Sequence, residues 1–168
     1  MPKPKISSSA ALDPFGSRIF VNLPDARAIA VVDLETNKEL ARWQTGDLRA
    51  NFPLVLDDSG NVLPVFRHPA RIGVFQGQDG RLLSSSDTCG DSDDLFVDVK
   101  RHRVYVICGE GFIDVFTQDG AGLRRSAHFV TSRGARTGLF VPENDRLYVA
   151  ARSTPGAPAS IWVLRPTS

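Results

Sequence analysis

The 168-residue sequence is poor in the residues on which metal clusters, redox motifs and disulfide-rich scaffolds depend, since it contains only two cysteines and three histidines. Cys89 and Cys108 form neither a metal-type pair nor a disulfide framework, and we expect Cys108 to be a buried, unreactive residue at the end of a strand. A cysteine beside His68 is the alternative, because such a pair can act as a nucleophile and its base. No phosphate loop and no Gly-x-Ser-x-Gly elbow is present.

Neither sign of charge dominates, because 20 Lys and Arg residues stand against 19 Asp and Glu residues without a basic run. Nucleic-acid binding along an electrostatic stripe is therefore disfavoured. No apolar stretch approaches the roughly 18 residues that a membrane-spanning helix needs. Residues 1–9 begin with basic side chains but lack the apolar segment of a signal peptide. The sequence as written thus predicts a cytoplasmic protein without a membrane or nucleic-acid partner.

One pattern occurs four times along the chain: a short apolar strand, a tight polar turn and a second strand. Residues 95–108 show it most clearly, and no helical period of useful length occurs anywhere. The corresponding turns begin at four anchors whose numbers differ by 44, 41 and 44, namely Asp13, Asp57, Asp98 and Pro142. A period in the forties that is built only from strands predicts the four-stranded blades of a β-propeller.

The predicted fold class is therefore all-β, with an N-terminal extension at residues 1–9 and a propeller arc at residues 10–168. The four blades are expected at about residues 10–45, 51–88, 93–131 and 137–166. The last blade lacks its fourth strand, so that the arc has fifteen strands. Pro64 falls inside a predicted strand of the second blade, where it removes a ladder donor and predicts a bulge or a local break.

A lone four-blade arc leaves apolar faces of its first and last blades uncovered, which predicts a partner. Two copies related by a two-fold axis along the propeller axis would cover both faces and close an eight-blade ring. Residues 1–6 of one copy would then lie beside residues 161–164 of the other as the missing strand. Pro2 and Pro4 weaken residues 1–6 as ladder partners. We therefore expect a homodimer that is held together mainly by blade packing.

Three tetrapeptides in the predicted second strands, at residues 19–22 (IFVN), 104–107 (VYVI) and 147–150 (LYVA), resemble the YVTN motif of the bacterial YVTN-type β-propeller repeat family. Longer stretches at residues 19–33, 90–96, 109–116 and 134–143 extend the resemblance over nearly the whole chain. The resemblance implies a propeller and says little about function, because members of the family are mostly uncharacterised. It also implies longer relatives, which are often exported and whose C-terminal half this chain resembles.

In a propeller, the loops that precede the inner strands and the loops between the second and third strands meet on one face, around the central channel. Asp91, Asp93 and Asp94 fall on this channel mouth, with Asn51 and Glu110 near them. Oxygen ligands suit Ca²⁺, Mg²⁺ or Mn²⁺, so a divalent cation held by Asp93, Asp94 and Asn51 is one prediction. Such a cation would support hydrolysis of esters, lactones or phosphotriesters. The alternative is that Asp93 and Asp94 accept hydrogen bonds from backbone amides in turns.

A second group on the same face predicts a site for a bound ligand, either a small molecule or a protein. Arg49, Arg136 and His68 suit an anion, since guanidinium groups match carboxylate and phosphate geometry, and Asn51 and Glu110 complete the group. Ion pairs between these arginines and the nearby aspartates are the alternative. No complete catalytic set is visible in the sequence, and this favours a binding module over the hydrolase. We assign no role to the two remaining histidines, His102 and His128.

Overall fold

A computed structural model describes residues 10–13, 16–120 and 122–167, so the predicted extension at residues 1–9 lies outside the described residues. Within this part of the chain, fifteen strands form four separate antiparallel sheets. The described residues contain no α-helix, and their only helical segments are three single turns of 3₁₀ helix at Pro24–Ala26, Val99–Arg101 and Pro142–Asn144. No described helix has the length and apolarity of a membrane span.

Each sheet takes its strands in chain order, so each is an antiparallel meander. The first sheet contains β1 (Ala10–Leu12), β2 (Arg18–Leu23), β3 (Ala28–Asp33) and β4 (Glu39–Gln44). The second contains β5 (Arg49–Leu56), β6 (Val62–His68), β7 (Ala70–Phe75) and β8 (Leu82–Asp87). The third contains β9 (Ser92–Asp98), β10 (Arg103–Cys108), β11 (Phe112–Asp119) and β12 (Gly122–Val130). The fourth contains β13 (Thr137–Val141), β14 (Arg146–Ala151) and β15 (Ser160–Leu164).

These sheets are the four blades, numbered one to four, of a half-propeller, and the prediction of a four-blade arc whose last blade lacks a strand is confirmed. Short apolar runs such as β10 form the middle strands because both of their faces are buried between neighbouring blades. The outer strands are more exposed, and in β4 only Trp43 is buried. The break expected at Pro64 is confirmed, since the β6–β7 ladder pairs Val62 and then resumes only at Val65.

Three apolar clusters between the blades hold the arc together. Phe20 and Phe66 bury their rings between blades one and two, and Val106 and Phe116 lie in the cluster between blades two and three. Between blades three and four, Ile107 packs with the strands of both sheets. Burying each side chain of this size contributes roughly 1.5–3 kcal/mol, so blade-to-blade packing is the main source of stability.

A polar link joins blades three and four on the face opposite the channel mouth. The buried carboxylate of Asp98 accepts hydrogen bonds from the Tyr105 hydroxyl at 2.7 Å and from Arg101 Nη1 at 3.0 Å. Arg101 Nη1 also lies 3.0 Å from Asp145 Oδ1 in blade four. Burial and then the bond to Asp98 raise the pKa of Tyr105, while hydrogen bonds from Arg101 and Lys100 lower the pKa of Asp145. The loops on this face are therefore fixed by charge as well as by turn geometry.

Candidate functional site

The loops at the channel mouth are tied to one another by backbone hydrogen bonds. Gly109 N–H donates to the Asp91 carbonyl at 2.8 Å, and Gly134 N–H donates to the Gly109 carbonyl at 2.7 Å. The loops that precede the inner strands of blades three and four thus flank the turn at residues 109–111. Because the three segments support one another, the backbone of each of these loops is held in place.

Two aspartates and two arginines from three different blades form an ion-pair network at this mouth. Arg67, at the end of β6 in blade two, places Nη2 2.6 Å from Asp93 Oδ1 and Nη1 3.3 Å from Asp91 Oδ1. Arg136, which precedes β13 in blade four, places Nη1 2.9 Å from Asp91 Oδ2 and Nε 3.1 Å from Asp93 Oδ2. Both carboxylates of blade three are therefore shared between guanidinium groups of the two flanking blades.

The Arg67 side chain is the most buried member of this network, with 20% of its surface exposed. Its Nε donates to the Ser92 carbonyl at 3.0 Å, and its guanidinium carbon lies 4.2 Å from the centre of the Phe52 ring. Charge-assisted hydrogen bonds and cation–π contact together fix its position. The pKa of Arg136 is raised, first by its hydrogen bond to Asp91 and then by the charges of Asp93 and Asp91.

Asp94 makes a different contact from its neighbour in sequence. Its Oδ2 accepts the backbone N–H of Gly138 in β13 at 2.7 Å, which links blade three to blade four. Burial raises the pKa of Asp94, the charge of Asp93 raises it further, and the Gly138 hydrogen bond lowers it. The alternative reading, in which these aspartates bind backbone amides, therefore describes Asp94. Asp93 is instead engaged by arginines.

The other residues that the sequence placed at the mouth have partners outside this ion-pair network. Asn51 is buried, and its Nδ2 donates to Asn22 Oδ1 at 2.7 Å and to the Ala28 carbonyl at 3.1 Å. Arg49 faces His68 in the β5–β6 register, and both are exposed. Glu110 Oε2 accepts the Gly90 N–H at 2.8 Å. The structure thus joins Arg136 to the aspartates and pairs Arg49 with His68, whereas Asn51 contacts blade one.

The described residues contain no group of three or more His, Cys, Asp and Glu side chains that is arranged to hold a metal ion. Both carboxylate oxygens of Asp93 face guanidinium groups, and one oxygen of Asp94 is taken by a backbone amide. The Asn51 Oδ1 atom is buried and has no hydrogen-bond partner among these residues. A cation held by Asp93, Asp94 and Asn51 would therefore have to displace Arg67 and Arg136 from Asp93.

Cys89 and Cys108 form a disulfide, so the prediction that they make no disulfide is wrong. Their α-carbons lie 5.8 Å apart, within the range for such a bond. The irregularity at the end of β10 sets Cys108 opposite Ser92, which brings the preceding loop and Cys89 beside it. This proximity depends on strand register and cannot be read from a separation of 19 residues. The bond excludes a nucleophile pair with His68 and anchors the loop that carries Asp91.

A buried carboxylate that the sequence analysis did not single out lies behind this loop. Asp114 in β11 is fully buried, and its Oδ2 accepts from Cys89 N–H at 2.8 Å, Thr88 Oγ1 at 3.0 Å and Arg125 Nη1 at 3.2 Å. Its Oδ1 pairs with His128 Nδ1, whose ring stacks on Phe112. The sequence does carry a signal for this site, because a charged residue stands between the apolar Ile113 and Val115. A charge buried among apolar neighbours needs polar partners.

Four arginines on the mouth loops make no side-chain hydrogen bond or ion pair with another described residue. They are Arg27, Arg49, Arg133 and Arg152, and all four are exposed. Arg152 lies against the backbone of Gly134, where a β-carbon would come within 2.7 Å of its Nε. Gly134 has φ +79° and follows Arg133 directly. The mouth beside blade four therefore presents free guanidinium groups next to the paired Arg136.

Comparison of the sequence with protein-family models and with curated proteins gives no match. Many solved structures share the fold. Hydrazine synthase from Kuenenia stuttgartiensis superposes with a TM-score of 0.80 at 16% identity, over 93% of this chain and 45% of that chain. A chain of a mitotic checkpoint complex gives a TM-score of 0.78 at 12% identity, over 94% and 49%.

A putative 6-phosphogluconolactonase from Bacteroides uniformis gives a TM-score of 0.69 at 14% identity, over 91% of this chain and 51% of that chain. At these identities the likeness shows the fold and not the function. The chain spans about half the length of these solved structures. Together with the four sheets, the comparisons identify the chain as half of a β-propeller.

Proposed function

We propose that this chain is a binding module that holds an anionic small molecule at the channel mouth. The observation that carries the proposal is the set of guanidinium groups on one face. Arg67 and Arg136 are fixed by shared aspartates, and Arg133 and Arg152, on the loops near Arg136, make no side-chain hydrogen bond or ion pair with another described residue. Guanidinium groups bind carboxylate and phosphate through paired N–H donors, so a ligand with either group fits this face.

The ion-pair network supports binding through preorganisation. Because Asp91 and Asp93 hold Arg136 in place, an anion that contacts it does not have to order this side chain first. The disulfide and the Gly134–Gly109 hydrogen bond fix the loops in the same way. Arg152 and Arg133 then add two positively charged groups beside the balanced network.

Thermal unfolding with inorganic phosphate and with citrate tests the proposal. Phosphate also stabilises proteins nonspecifically as an excluded salt, so the informative quantity is the difference between the wild type and a variant. We expect each anion to raise the Tm of the wild type more than that of the Arg133→Ala/Arg152→Ala double variant. Arg124→Ala, which removes an exposed arginine of β12, is the matched control and should respond like the wild type. An equal response of all three proteins contradicts the proposal.

A metal-assisted hydrolase with Asp93, Asp94 and Asn51 as cation ligands is the second candidate. The likeness to a putative lactonase favours it, as does the cluster of carboxylates at the mouth. Against it stands the pairing of Asp93 with two arginines. Turnover of ester, lactone and phosphotriester substrates, measured with and without EDTA, separates the two functions. EDTA-sensitive turnover that Asp94→Ala abolishes would establish the hydrolase, and no turnover would support the binding module.

We also propose that the chain belongs to the YVTN-type propeller repeat family. The three YVTN-like tetrapeptides lie in β2, β10 and β14, which are the second strands of blades one, three and four. Equivalent positions in three blades are what a repeat motif requires. An alignment built from homologues of this chain tests the assignment, since the tetrapeptide should recur at these positions in them.

The disulfide leads us to propose an oxidising compartment for this protein, which replaces the cytoplasmic expectation. Disulfides persist in exported proteins and are rare where thiols are kept reduced. Cys89 and Cys108 are the only cysteines of the chain, and they are bonded to each other. Thiol alkylation followed by mass spectrometry on protein from its native cells should find both cysteines blocked before reduction. Two free thiols would contradict the proposal.

A further inference from the structure

The loop between the second and third strands of blade four is the longest of its kind in the described part of the chain. It spans residues 152–159, whereas the corresponding loops of blades one to three span residues 24–27, residue 69 and residues 109–111. Every residue of the long loop is exposed. Binding sites are found most often on loops that a rigid scaffold positions. The extra length therefore indicates a specialised role for this side of the channel mouth.

The tip of this loop has a defined conformation. Thr154 N–H donates to the Ala157 carbonyl at 2.9 Å, and Ala157 N–H donates to the Thr154 carbonyl at 3.1 Å. Pro155 and Gly156 occupy the two positions between them, and Gly156 has φ +104°. A proline followed by a glycine with positive φ is typical of a type II turn. A turn closed in this way restricts how far the loop can rearrange.

Both ends of the loop line a pocket of about 540 Å³ at the mouth of blade four. Arg152 lines the pocket from the start of the loop, and Ala159 lines it from the end. The floor consists of Thr137, Ala150 and Ile161, which stand opposite one another across β13, β14 and β15. A pocket of this size admits a small organic molecule.

Arg152 is the only charged side chain that lines this pocket among the described residues. Its guanidinium group packs on the backbone of Gly134, where a β-carbon would lie 3.0 Å from its central carbon. Arg133 is exposed on the same side of the mouth but does not line the pocket in the described part of the chain. The pocket thus carries one positive charge that no carboxylate of its described lining balances.

The rest of the lining combines small apolar groups with two hydroxyls. Thr137 makes no side-chain hydrogen bond with another described residue, so its hydroxyl can donate to a ligand. The Ser160 hydroxyl oxygen accepts from Trp162 Nε1 at 3.2 Å and keeps its own proton for donation. Ile161 is 62% exposed. Only methyl groups are presented by Ala150, Ala151 and Ala159.

We propose that this pocket holds a small monocarboxylic acid, with the carboxylate on Arg152 and a compact apolar body over Ala150 and Ile161. The inference rests on the proposed function, which it narrows from anions in general to one chemical class. One guanidinium group matches one carboxylate through two parallel N–H donors. A phosphate monoester brings a second negative charge, for which the described lining supplies no further cation. Removing such an unpaired charge from water is costly.

The position of Arg152 favours binding because its support is already in place. Gly134, on which the guanidinium group packs, donates its N–H to the Gly109 carbonyl at 2.7 Å. The backbone beneath Arg152 is therefore tied to blade three. The closed turn at Thr154 and Ala157 restricts the loop on the other side. Less conformational freedom is then lost when a ligand binds, which favours affinity.

An NMR titration of the isotopically labelled full chain with benzoate tests the ligand class. We expect saturable shifts of the backbone amides of Gly134, Arg152 and Ser160. Benzamide has the same ring without the charge, and acetate has the charge without the ring. Each should bind at least about tenfold more weakly than benzoate. Equal affinity for benzoate and benzamide, or shifts confined to other parts of the chain, overturns the proposal.

Arginine variants locate the charge that binds the carboxylate. Arg152→Gln removes the charge from the pocket and should weaken benzoate binding at least about tenfold. Arg133→Gln is the matched control, because it removes a neighbouring exposed arginine that does not line the described pocket, and it should change the affinity less than about threefold. Unchanged binding of benzoate by Arg152→Gln contradicts the proposal.

Alanine variants test the apolar floor. Ala150→Leu places a larger side chain between Thr137 and Ile161, so it should abolish the shifts that benzoate produces. Ala26→Leu is the matched control, since Ala26 is exposed at the mouth of blade one, and it should bind benzoate like the wild type. If Ala150→Leu keeps the wild-type affinity, the ligand lies elsewhere and the proposed pocket is wrong.

The measurements with phosphate and citrate separate this inference from the proposed function. If these anions stabilise the wild type more than the Arg133→Ala/Arg152→Ala variant while benzoate does not bind, the mouth binds anions and only the ligand class is wrong. If neither they nor benzoate has an effect that depends on Arg152, both proposals fail. Benzoate binding that requires Arg152 and is lost in Ala150→Leu supports both.

Discussion

Arg67 Nη2 and Asp93 Oδ1 lie 2.6 Å apart, although the first residue is the last but one of the second strand of blade two and the second lies in the inner strand of blade three. The same aspartate also faces Arg136 of blade four. Three blades are thereby joined at the channel mouth by side chains that are 26 and 43 positions apart in the sequence. The ion pairs therefore link the mouth loops of neighbouring blades to one another.

Arg67→Ala should lower the free energy of unfolding by roughly 1–3 kcal/mol, because it removes charge-assisted hydrogen bonds to Asp93 and Ser92 and the contact with Phe52. Arg67→Lys should recover only part of this loss, since an ammonium group cannot make the forked contacts. Urea denaturation measures both changes. Arg124→Ala, an exposed position on an outer strand, is the control and should change stability by less than about 0.5 kcal/mol.

Asp94→Asn should stabilise the protein at neutral pH, with a gain that depends on pH. Burial raises the pKa of Asp94 in the folded state, so ionisation costs stability as pH rises above the ordinary aspartate value of about 3.9. The asparagine carries no charge, and its Oδ1 can still accept the Gly138 N–H. The two proteins should therefore have equal stability near pH 3 and differ progressively above it. A gain of the same size at every pH would contradict this explanation.

Replacing both cysteines by alanine should lower the free energy of unfolding by roughly 2–4 kcal/mol, because the disulfide restricts a loop of 19 residues in the unfolded chain. A reducing agent should destabilise the wild type by a similar amount and leave the Cys89→Ala/Cys108→Ala variant unchanged. Denaturation curves recorded with and without dithiothreitol make the comparison. If the wild type does not respond to reductant under unfolding conditions, the bond is absent.

Asp114→Ala should be among the most damaging single changes, at roughly 3 kcal/mol. It leaves the Cys89 amide and the Thr88 hydroxyl without their acceptor in a buried environment. His128→Ala removes a partner of the same carboxylate, but the side chain is 42% exposed, and we expect a loss below about 1 kcal/mol. Calorimetry of both variants should show this order, and the reverse order would mean that His128 holds the carboxylate in place.

The sequence by itself determined the blades, because the signals that define them are local. Alternation of apolar residues along β4, the apolar run of β10 and the break at Pro64 all act within a few residues of chain. Repetition of such signals at a nearly constant period left few alternatives to a propeller arc. The missing strand of blade four was visible for the same reason, since the strands could be counted.

Only the tertiary structure decided the contacts at the mouth, because these depend on how neighbouring blades are set against each other. Sequence reasoning placed Asp93 and Arg136 on one face but could not show that Arg67 shares the carboxylates. The Cys89–Cys108 bond depends on an irregular register at the end of β10, which no spacing reveals. Periodicity thus specifies which face a residue occupies, whereas its partner is specified by packing between sheets that are distant in sequence.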